Sequence, residues 1–388
     1  MSERDKTYRV FISAAEPSAD AHCAALITAL KQTAYNIDLV GVGGPKMAHA
    51  GCRVLETIVG KAVMTYKAFR HTITFYNLVR RITRYLKSTK VDLVIVCDSP
   101  AFNFHIAKAA KKLGIKTLFY VAPQLWAWGG WRIRKLRKYC DKLCCILPFE
   151  QNWFAEKGID TVYVGNPLLD ELDIDSAGQE RNYTDFQPNN AKFALMPGSR
   201  AAEIDSLWVP MQKIALQLKR KYPEAVFTTV AVDSEREQLL RRKELMGFEC
   251  RYTVGSVSDT AAECDFAIVA SGSATLQVAA VGCPMVIMYQ SSRVVWFLLG
   301  RWLLKTKYLS LVNILANRKL VPEFMPYFSS IGPIVEAIEG LLSDRDGLSQ
   351  LSDELIALAA SVRLGNTSQK VAQVAADMLD KTHGEAVG

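Results

Sequence analysis

Three short stretches of this 388-residue chain carry side chains whose types and spacing can do group-transfer chemistry. Val96-Cys97-Asp98-Ser99-Pro100-Ala101-Phe102-Asn103 puts a carboxylate at the end of an apolar run. An aspartate there can take the proton of an attacking hydroxyl. It can equally cap the helix that follows, where aspartate is favoured. His105 is a rival base, but a single histidine on a helix is more often structural. Met196-Pro197-Gly198-Ser199-Arg200-Ala201-Ala202-Glu203 places an arginine after a Gly-Ser pair. A guanidinium there can neutralise a diphosphate leaving group, or simply pair with Glu203 or Asp205 on the surface. Ala270-Ser271-Gly272-Ser273-Ala274-Thr275 joins a third apolar run to a helical one. Its small residues let phosphate oxygens reach N–H groups at a helix N-terminus, although an ordinary turn also favours Ser, Thr and Gly. Two phosphate-type turns in one half of the chain favour anion binding.

A fourth stretch, Tyr120-Val121-Ala122-Pro123-Gln124-Leu125-Trp126-Ala127-Trp128, precedes Arg132, Arg134, Lys135, Arg137 and Lys138. Aromatics beside bases can grip a sugar phosphate or meet lipid headgroups. Nucleic acid ranks lower, because no nucleic-acid module signature is present. Gly41-Val42-Gly43-Gly44-Pro45-Lys46 lacks dinucleotide-motif spacing and has proline where the helix should open, and no P-loop occurs. Asp173 with Asp175, and Asp344 with Asp346, sit in polar sequence that reads as solvated loop rather than metal site.

These turns must be positioned by strands and helices. Strands are predicted at Val10–Ala14, Leu39–Val42, Leu93–Cys97, Thr117–Val121, Leu143–Leu147 and Val162–Val164, with helical spacing at Ala24–Leu30 and Phe104–Leu113 between them. Short apolar runs alternating with helices indicate βαβ units and a parallel sheet. The pattern restarts after a polar stretch, Asp173 to Asn190, with strands at Phe193–Met196, Val226–Val232, Phe266–Ala270 and Met285–Tyr289. Helices are expected at Leu207–Lys221 and Ala274–Val281. The expected architecture is α/β: two Rossmann-like, doubly wound domains, residues 1–170 and 171–345, facing a central cleft at their carboxyl strand ends. Helices within 346–388 either cap the second domain or cross back to the first.

The formal net charge is +8, and 25 of the 47 basic residues but only 13 of the 39 acidic ones fall in residues 1–170. A basic first half suits an anionic partner. Tyr76–Lys90 reads as a basic amphipathic helix, which either rests on a membrane surface or lays Leu78, Ile82 and Leu86 on the sheet. The apolar run after Arg9 is too short for a secretory signal, and Val294–Leu304 is too short to span a bilayer. Nine cysteines without zinc spacing read as reduced, mostly buried thiols.

Together these residues resemble the lipid-A-disaccharide synthase family from about Val10 to residue 330. The most specific stretches are CDSPAFN (97–103), YVAPQLWAW (120–128) with Arg132, LPFE (147–150), MPGSRAAEI (196–204), VASGSATL (269–276) and KYLSLVNILANRKLVPE (307–323). The resemblance implies the GT-B fold and an inverting transfer of 2,3-diacylglucosamine from UDP to 2,3-diacylglucosamine 1-phosphate. It implies Asp98 as the base, Arg200 as catalytic, and Ser199 with Ser271, Gly272, Ser273 and Thr275 on the diphosphate. Gln277, Asn313 and Glu323 fall to the donor, and Glu16, Ser18, Asp20, Asn103, Trp128 and Arg132 to the substrates. No metal or other cofactor is expected. Expected partners are the two acylated sugars and the inner-membrane surface, bound peripherally from the cytoplasm, with a homodimer allowed and nucleic acid excluded.

The sequence departs from the family pattern at several places. Gly-Glu-x-Ser-Gly-Asp becomes Ala15-Glu16-Pro17-Ser18-Ala19-Asp20, and a Gly-His-Pro becomes Gly165-Asn166-Pro167. Val-Met-Gly followed by an acid becomes Val63-Met64-Thr65 with Ala68 at the acid's place, and a glutamate becomes Gln277. A catalytically weak paralogue that binds nucleotide-sugar or lipid, or a transferase with another acceptor, is the second reading. A UDP-sugar epimerase of the same two-domain architecture is the third.

Overall fold

The structure, a computed structural model, describes residues 6–59, 68–170, 172, 181, 183–291 and 306–384. The chain divides into two compact units, Met1–Pro167 with Leu364–Gly388, and Leu168–Arg363.

The first unit is a seven-stranded parallel sheet: β1 Thr7–Ala14, β2 Asn36–Gly43, β3 Arg53–Thr57, β4 Leu93–Cys97, β5 Lys116–Tyr120, β6 Lys142–Cys145 and β7 Thr161–Tyr163. Their order is β3-β2-β1-β4-β5-β6-β7. Between them run α1 Pro17–Lys31, α2 Pro45–His49, α3 Ala68–Ser88, α4 Pro100–Lys112, α5 Ile133–Tyr139 and α6 Pro148–Ala155. A parallel sheet covered on both faces needs strands that are apolar throughout, and all five residues of β4 are buried. Val10, Ile12 and Ala14 face one core and Phe11 the other. Ile82 and Leu86 of α3 are buried in that second core, so this helix spends its apolar side on the protein interior rather than on a membrane. The edge strand β3, RVLET, alternates exposed and half-buried residues and so offers no unbroken apolar run in the sequence.

The second unit repeats the plan after the short α7 Pro167–Asp170. Its strands are β8 Lys192–Met196, β9 Val226–Ala231, β10 Arg251–Val254, β11 Phe266–Ala270, β12 Met285–Met288 and β13 Glu323–Phe324, in the order β10-β9-β8-β11-β12-β13. The helices are α8 Ala201–Lys221, α9 Ser234–Arg241, α10 Val257–Glu263, α11 Ala274–Ala280, α12 Leu311–Ala316, α13 Gly332–Leu342 and α14 Arg345–Val362. The described part of the polar stretch after 172 is packed rather than loose. Tyr183 and Phe186 join the core, and half-buried Arg181 donates to the carbonyls of Ala261, Cys264 and Val281, which end α10 and α11. The last helix, α15 Thr367–Gly384, returns to the first unit, where Val371, Ala375 and Leu379 pack with α1 and β4–β5.

In each sheet the strand order reverses once, between β1 and β4 and between β8 and β11. Open α/β sheets bind ligands outside the carboxyl ends of the strands at such a switch point. The register sets Ala14 beside Cys97 and Cys97 beside Tyr120, so the turns after β1, β4 and β5 start level. Met196 pairs with Val269, which aligns the turns after β8 and β11.

Candidate functional site

The turn after β4 is held in a conformation that its residues do not adopt unaided. Asp98 and Ser99 have φ of 49° and 42°, left-handed values that are costly for residues other than glycine. Four hydrogen bonds hold them. Asp98 N–H donates to the Tyr120 carbonyl at 3.0 Å. The Asn103 side-chain amide donates to the carbonyls of Cys97 and Asp98, each at 2.8 Å. Ser13 Oγ donates to Asn103 Oδ1 at 2.7 Å, which ties the turn to β1. The helix is not the reason for the aspartate, because its N-cap position is Ser99 and no side chain caps it. Asp98 is left half-buried at the switch point. Asn103 is fully buried and serves this turn, so it positions rather than binds. His105 lies edge-on to Phe75, with its pKa lowered by partial burial and then by Lys135 and Lys108.

The turn after β1 has a similar division of labour. Asp20 is buried, and its carboxylate accepts from the N–H groups of Gly44 at 2.8 Å, Lys46 at 3.1 Å and Met47 at 3.2 Å. It holds the start of α2. This explains the odd Gly43-Gly44-Pro45-Lys46 segment, since a Cβ on Gly44 would lie 2.4 Å from Asp20 Oδ2. Glu16 remains half-buried and Ser18 exposed at the switch point.

The segment after β5 exposes Trp128 and Trp131, and the Arg132 guanidinium lies 4.5 Å and 5.5 Å from their ring centres. Trp126 instead points inward, where its indole N–H donates to Glu150 at 2.8 Å. Glu150 is 1% exposed, and burial pushes its carboxyl up to about 7 against the opposing pull of Trp126 and the Leu147 and Ile146 amides. The sequence contained LPFE as a motif but gave no sign of this partner.

In the second unit, Gly198 at φ 104° opens the turn before α8. Ser199 and Arg200 are exposed. The Glu203 carboxylate accepts from Ser199 N–H at 3.0 Å and Arg200 N–H at 3.2 Å and meets the Arg200 guanidinium at 3.3 Å. A carboxylate of the chain itself is thus seated on this turn. In the neighbouring turn Ser271 is half-buried while Gly272 and Ser273 are exposed. Thr275 is buried and its hydroxyl donates to the Gly272 carbonyl at 2.7 Å, which shapes the turn. Gln277 is half-buried one turn further along α11.

Asn313 and Glu323 form one knot. Glu323 accepts from the N–H groups of Leu309 at 3.1 Å and Ser310 at 3.0 Å, from Ser310 Oγ at 2.6 Å and from Asn313 Nδ2 at 3.0 Å. Asn313 is fully buried and its Oδ1 accepts from Leu320 and Val321 N–H. Its Nδ2 also donates to the Val321 carbonyl at 2.9 Å, so it ties α12 to the strand-end segment 320–323. Asp344 caps α14 by accepting from Gly347 N–H at 2.9 Å, and no metal-binding group of His, Cys, Asp or Glu occurs among the described residues. All nine cysteines are free. Thr65, the segment 173–180 and Val294–Leu304 lie outside the described residues. Among the described residues no helix is long and apolar enough to cross a membrane.

The family model for lipid-A-disaccharide synthetase matches residues 10–374. Similar proteins include the lipid-A-disaccharide synthase of Syntrophotalea carbinolica, 31% identical with 99% of each chain covered. That of Geobacter sulfurreducens is 29% identical, covering 97% of this chain and 98% of its own. Lipid-A-disaccharide synthase 1 of Legionella pneumophila is 31% identical, covering 91% and 93%. Among solved structures, UDP-GlcNAc 2-epimerase from Neisseria meningitidis bound to UDP-GlcNAc aligns with a TM-score of 0.63 at 12% identity, over 96% of this chain and 100% of its own. MurG from Acinetobacter baumannii aligns at 0.54 and 16%, over 95% and 98%. At such identities these two likenesses are of fold alone. The sequence match separates the synthase from the epimerase, and the chain belongs to the lipid-A-disaccharide synthetase family, built on the GT-B fold of glycosyltransferases.

Proposed function

We propose that this chain joins UDP-2,3-diacylglucosamine to 2,3-diacylglucosamine 1-phosphate, giving the β-1,6-linked disaccharide 1-phosphate and UDP. The reaction is a single in-line displacement. The acceptor 6-hydroxyl attacks the donor anomeric carbon and loses its proton to Asp98, while the carbon–oxygen bond to UDP breaks. Charge developing on the leaving diphosphate is met by Arg200 and by the Ser271–Thr275 turn. Ser199, Gln277 and Glu323 are assigned to the donor, with Asn313 holding Glu323. Glu16, Ser18, Trp128 and Arg132 supply the acceptor side, with Asp20 and Asn103 holding its turns. The observation that carries the reading is Asp98, buttressed in a left-handed turn at the sheet's switch point within a chain that matches the family over residues 10–374.

Peripheral association with the cytoplasmic face of the inner membrane belongs to the same proposal. Exposed Trp128 and Trp131 beside Arg134, Arg137 and Lys138 support it, since aromatics and bases together suit an anionic lipid surface. Mass spectrometry of the product formed from UDP-diacylglucosamine and its 1-phosphate acceptor tests the reaction. Disaccharide 1-phosphate with one UDP per product supports it. UDP-sugar binding without product would favour the binding-protein reading, for which Gln277, Asn166 and Ala68 are the motivating departures.

A further inference from the structure

We propose that Glu150 is a positioning residue for the acceptor half of the site: by fixing the Trp126 indole it fixes the loop that presents Trp128 and Arg132 and starts beside Asp98. The inference rests on the transfer reaction proposed above. Glu150 splits its two oxygens between two tasks. Oε2 accepts from the N–H groups of Ile146 at 3.3 Å and Leu147 at 3.1 Å, the ordinary capping of α6. Capping leaves Oε1 unused, and Oε1 takes the Trp126 N–H from a residue 24 positions away. The indole is buried and also lies edge-on to Phe149, ring centres 4.9 Å apart. A hydrogen bond donated by the buried indole to this carboxyl gives the loop one rigid anchor in an otherwise turn-built segment.

The rest of the loop hangs from that anchor by its own backbone. Val121 enters at φ 61° and Gly129 leaves at φ 72°. Ala127 and Trp128 N–H both donate to the Gln124 carbonyl, at 3.2 Å and 3.3 Å, so Trp126 is flanked by turns that transmit its position. At the loop's start Tyr120 accepts from Asp98 N–H, and at its far side Arg132 N–H donates to Gly129. Glu150, in the first turn of α6, thus couples to the base's turn through β5 and to the aromatic–basic face through Trp126. A cap that served α6 alone would need no tryptophan.

The test uses Glu150→Gln, which keeps the shape but turns one oxygen into a donor facing N–H groups, and Trp126→Phe, which leaves the α6 cap untouched. Steady-state kinetics on the full-length protein should show acceptor KM raised about tenfold in each single variant, with donor KM and UDP affinity unchanged. The double variant should be no worse than the worse single, because both break one bond. A Trp126→Phe protein with wild-type acceptor KM, or a Glu150→Gln protein whose donor KM moves equally, overturns the proposal. Hydrogen exchange at residues 121–132 provides an arm that needs no activity: exchange should rise in both variants while α8 stays protected. Unchanged exchange there overturns the positioning role even if the wild type turns over. Wild-type protein that makes no disaccharide overturns the parent reaction, and the exchange arm then decides the anchor alone.

Discussion

The Asn103 side chain donates to the carbonyl of Asp98 at 2.8 Å from one turn along the next helix. The same amide takes the Cys97 carbonyl, and its oxygen is held by Ser13. One buried amide thereby fixes the main chain that carries the proposed base and ties β4 to β1 across the switch point. Asn103→Ala would leave three buried polar groups without this partner, at a cost of about 1–3 kcal/mol for each group that water cannot reach. Urea unfolding should show a clear loss of stability, and turnover should fall, while UDP affinity stays at the wild-type value because the donor turns belong to the other unit.

The Arg200 guanidinium is exposed at the start of α8 and pairs with Glu203 one turn on. Such a surface pair contributes little to folding, so Arg200→Ala should unfold at the wild-type temperature. It should nevertheless weaken UDP binding about tenfold or more, the value of a charge-assisted contact to diphosphate. Titration calorimetry checks the affinity. Equal affinity in the variant would assign the diphosphate to other groups. EDTA should leave transfer unchanged in the wild type, and activity lost in EDTA and restored by magnesium would show that a metal shares the charge.

Gln277 sits one turn into α11, past the phosphate-type turn, where the family pattern has a glutamate. A carboxylate accepts hydrogen bonds from both ribose hydroxyls, whereas an amide offers one oxygen and no charge. Gln277→Glu should tighten UDP binding by about 1 kcal/mol, several-fold in Kd. Weaker binding would mean that the pocket is built around glutamine and takes a different donor.

His22 on α1 is buried with no hydrogen-bond partner for Nδ1, and burial, helped by Lys46, lowers its pKa to about 4. The folded protein therefore binds the proton more weakly than the unfolded chain, whose histidine titrates near 6.5. Its neutral form is compatible with the fold above about pH 6.5, and stability is lost as the pH falls toward 4. His22→Leu should remove that loss, on the order of 3 kcal/mol by pH 4. The difference in urea midpoint between variant and wild type should widen from pH 7 to pH 4.5. A constant difference would show that His22 takes up its proton as readily in the folded protein as in the unfolded chain.

The apolar strands were legible because parallel strands buried on both faces leave unbroken runs: Leu93–Cys97 and Phe266–Ala270 are the observed β4 and β11. Edge strands β3 and β10 lack such runs and escaped notice. The turns around Asp98, Arg200 and Ser271 were legible as residue types, but their place beside a switch point depends on strand order, which no local pattern encodes. Roles spread over distant backbone were not legible. Asp20 binds amides 24 to 27 residues away, and Asn313 binds its own loop. Both carry the polar side chains expected of ligand-binding residues, and both spend them inside the protein. The helix over 76–90 showed basic amphipathicity, and only packing revealed that its apolar side covers the sheet.

The most direct test of the central claim is single-turnover transfer by Asp98→Asn beside the wild type, with UDP-diacylglucosamine bound to saturation and the disaccharide 1-phosphate quantified. The amide cannot accept the acceptor's proton, so the account predicts turnover reduced about 10²–10⁴-fold with UDP affinity and unfolding temperature unchanged. A folded, donor-saturated Asp98→Asn protein that keeps more than about half the wild-type rate would contradict it, since losing a general base costs far more than twofold.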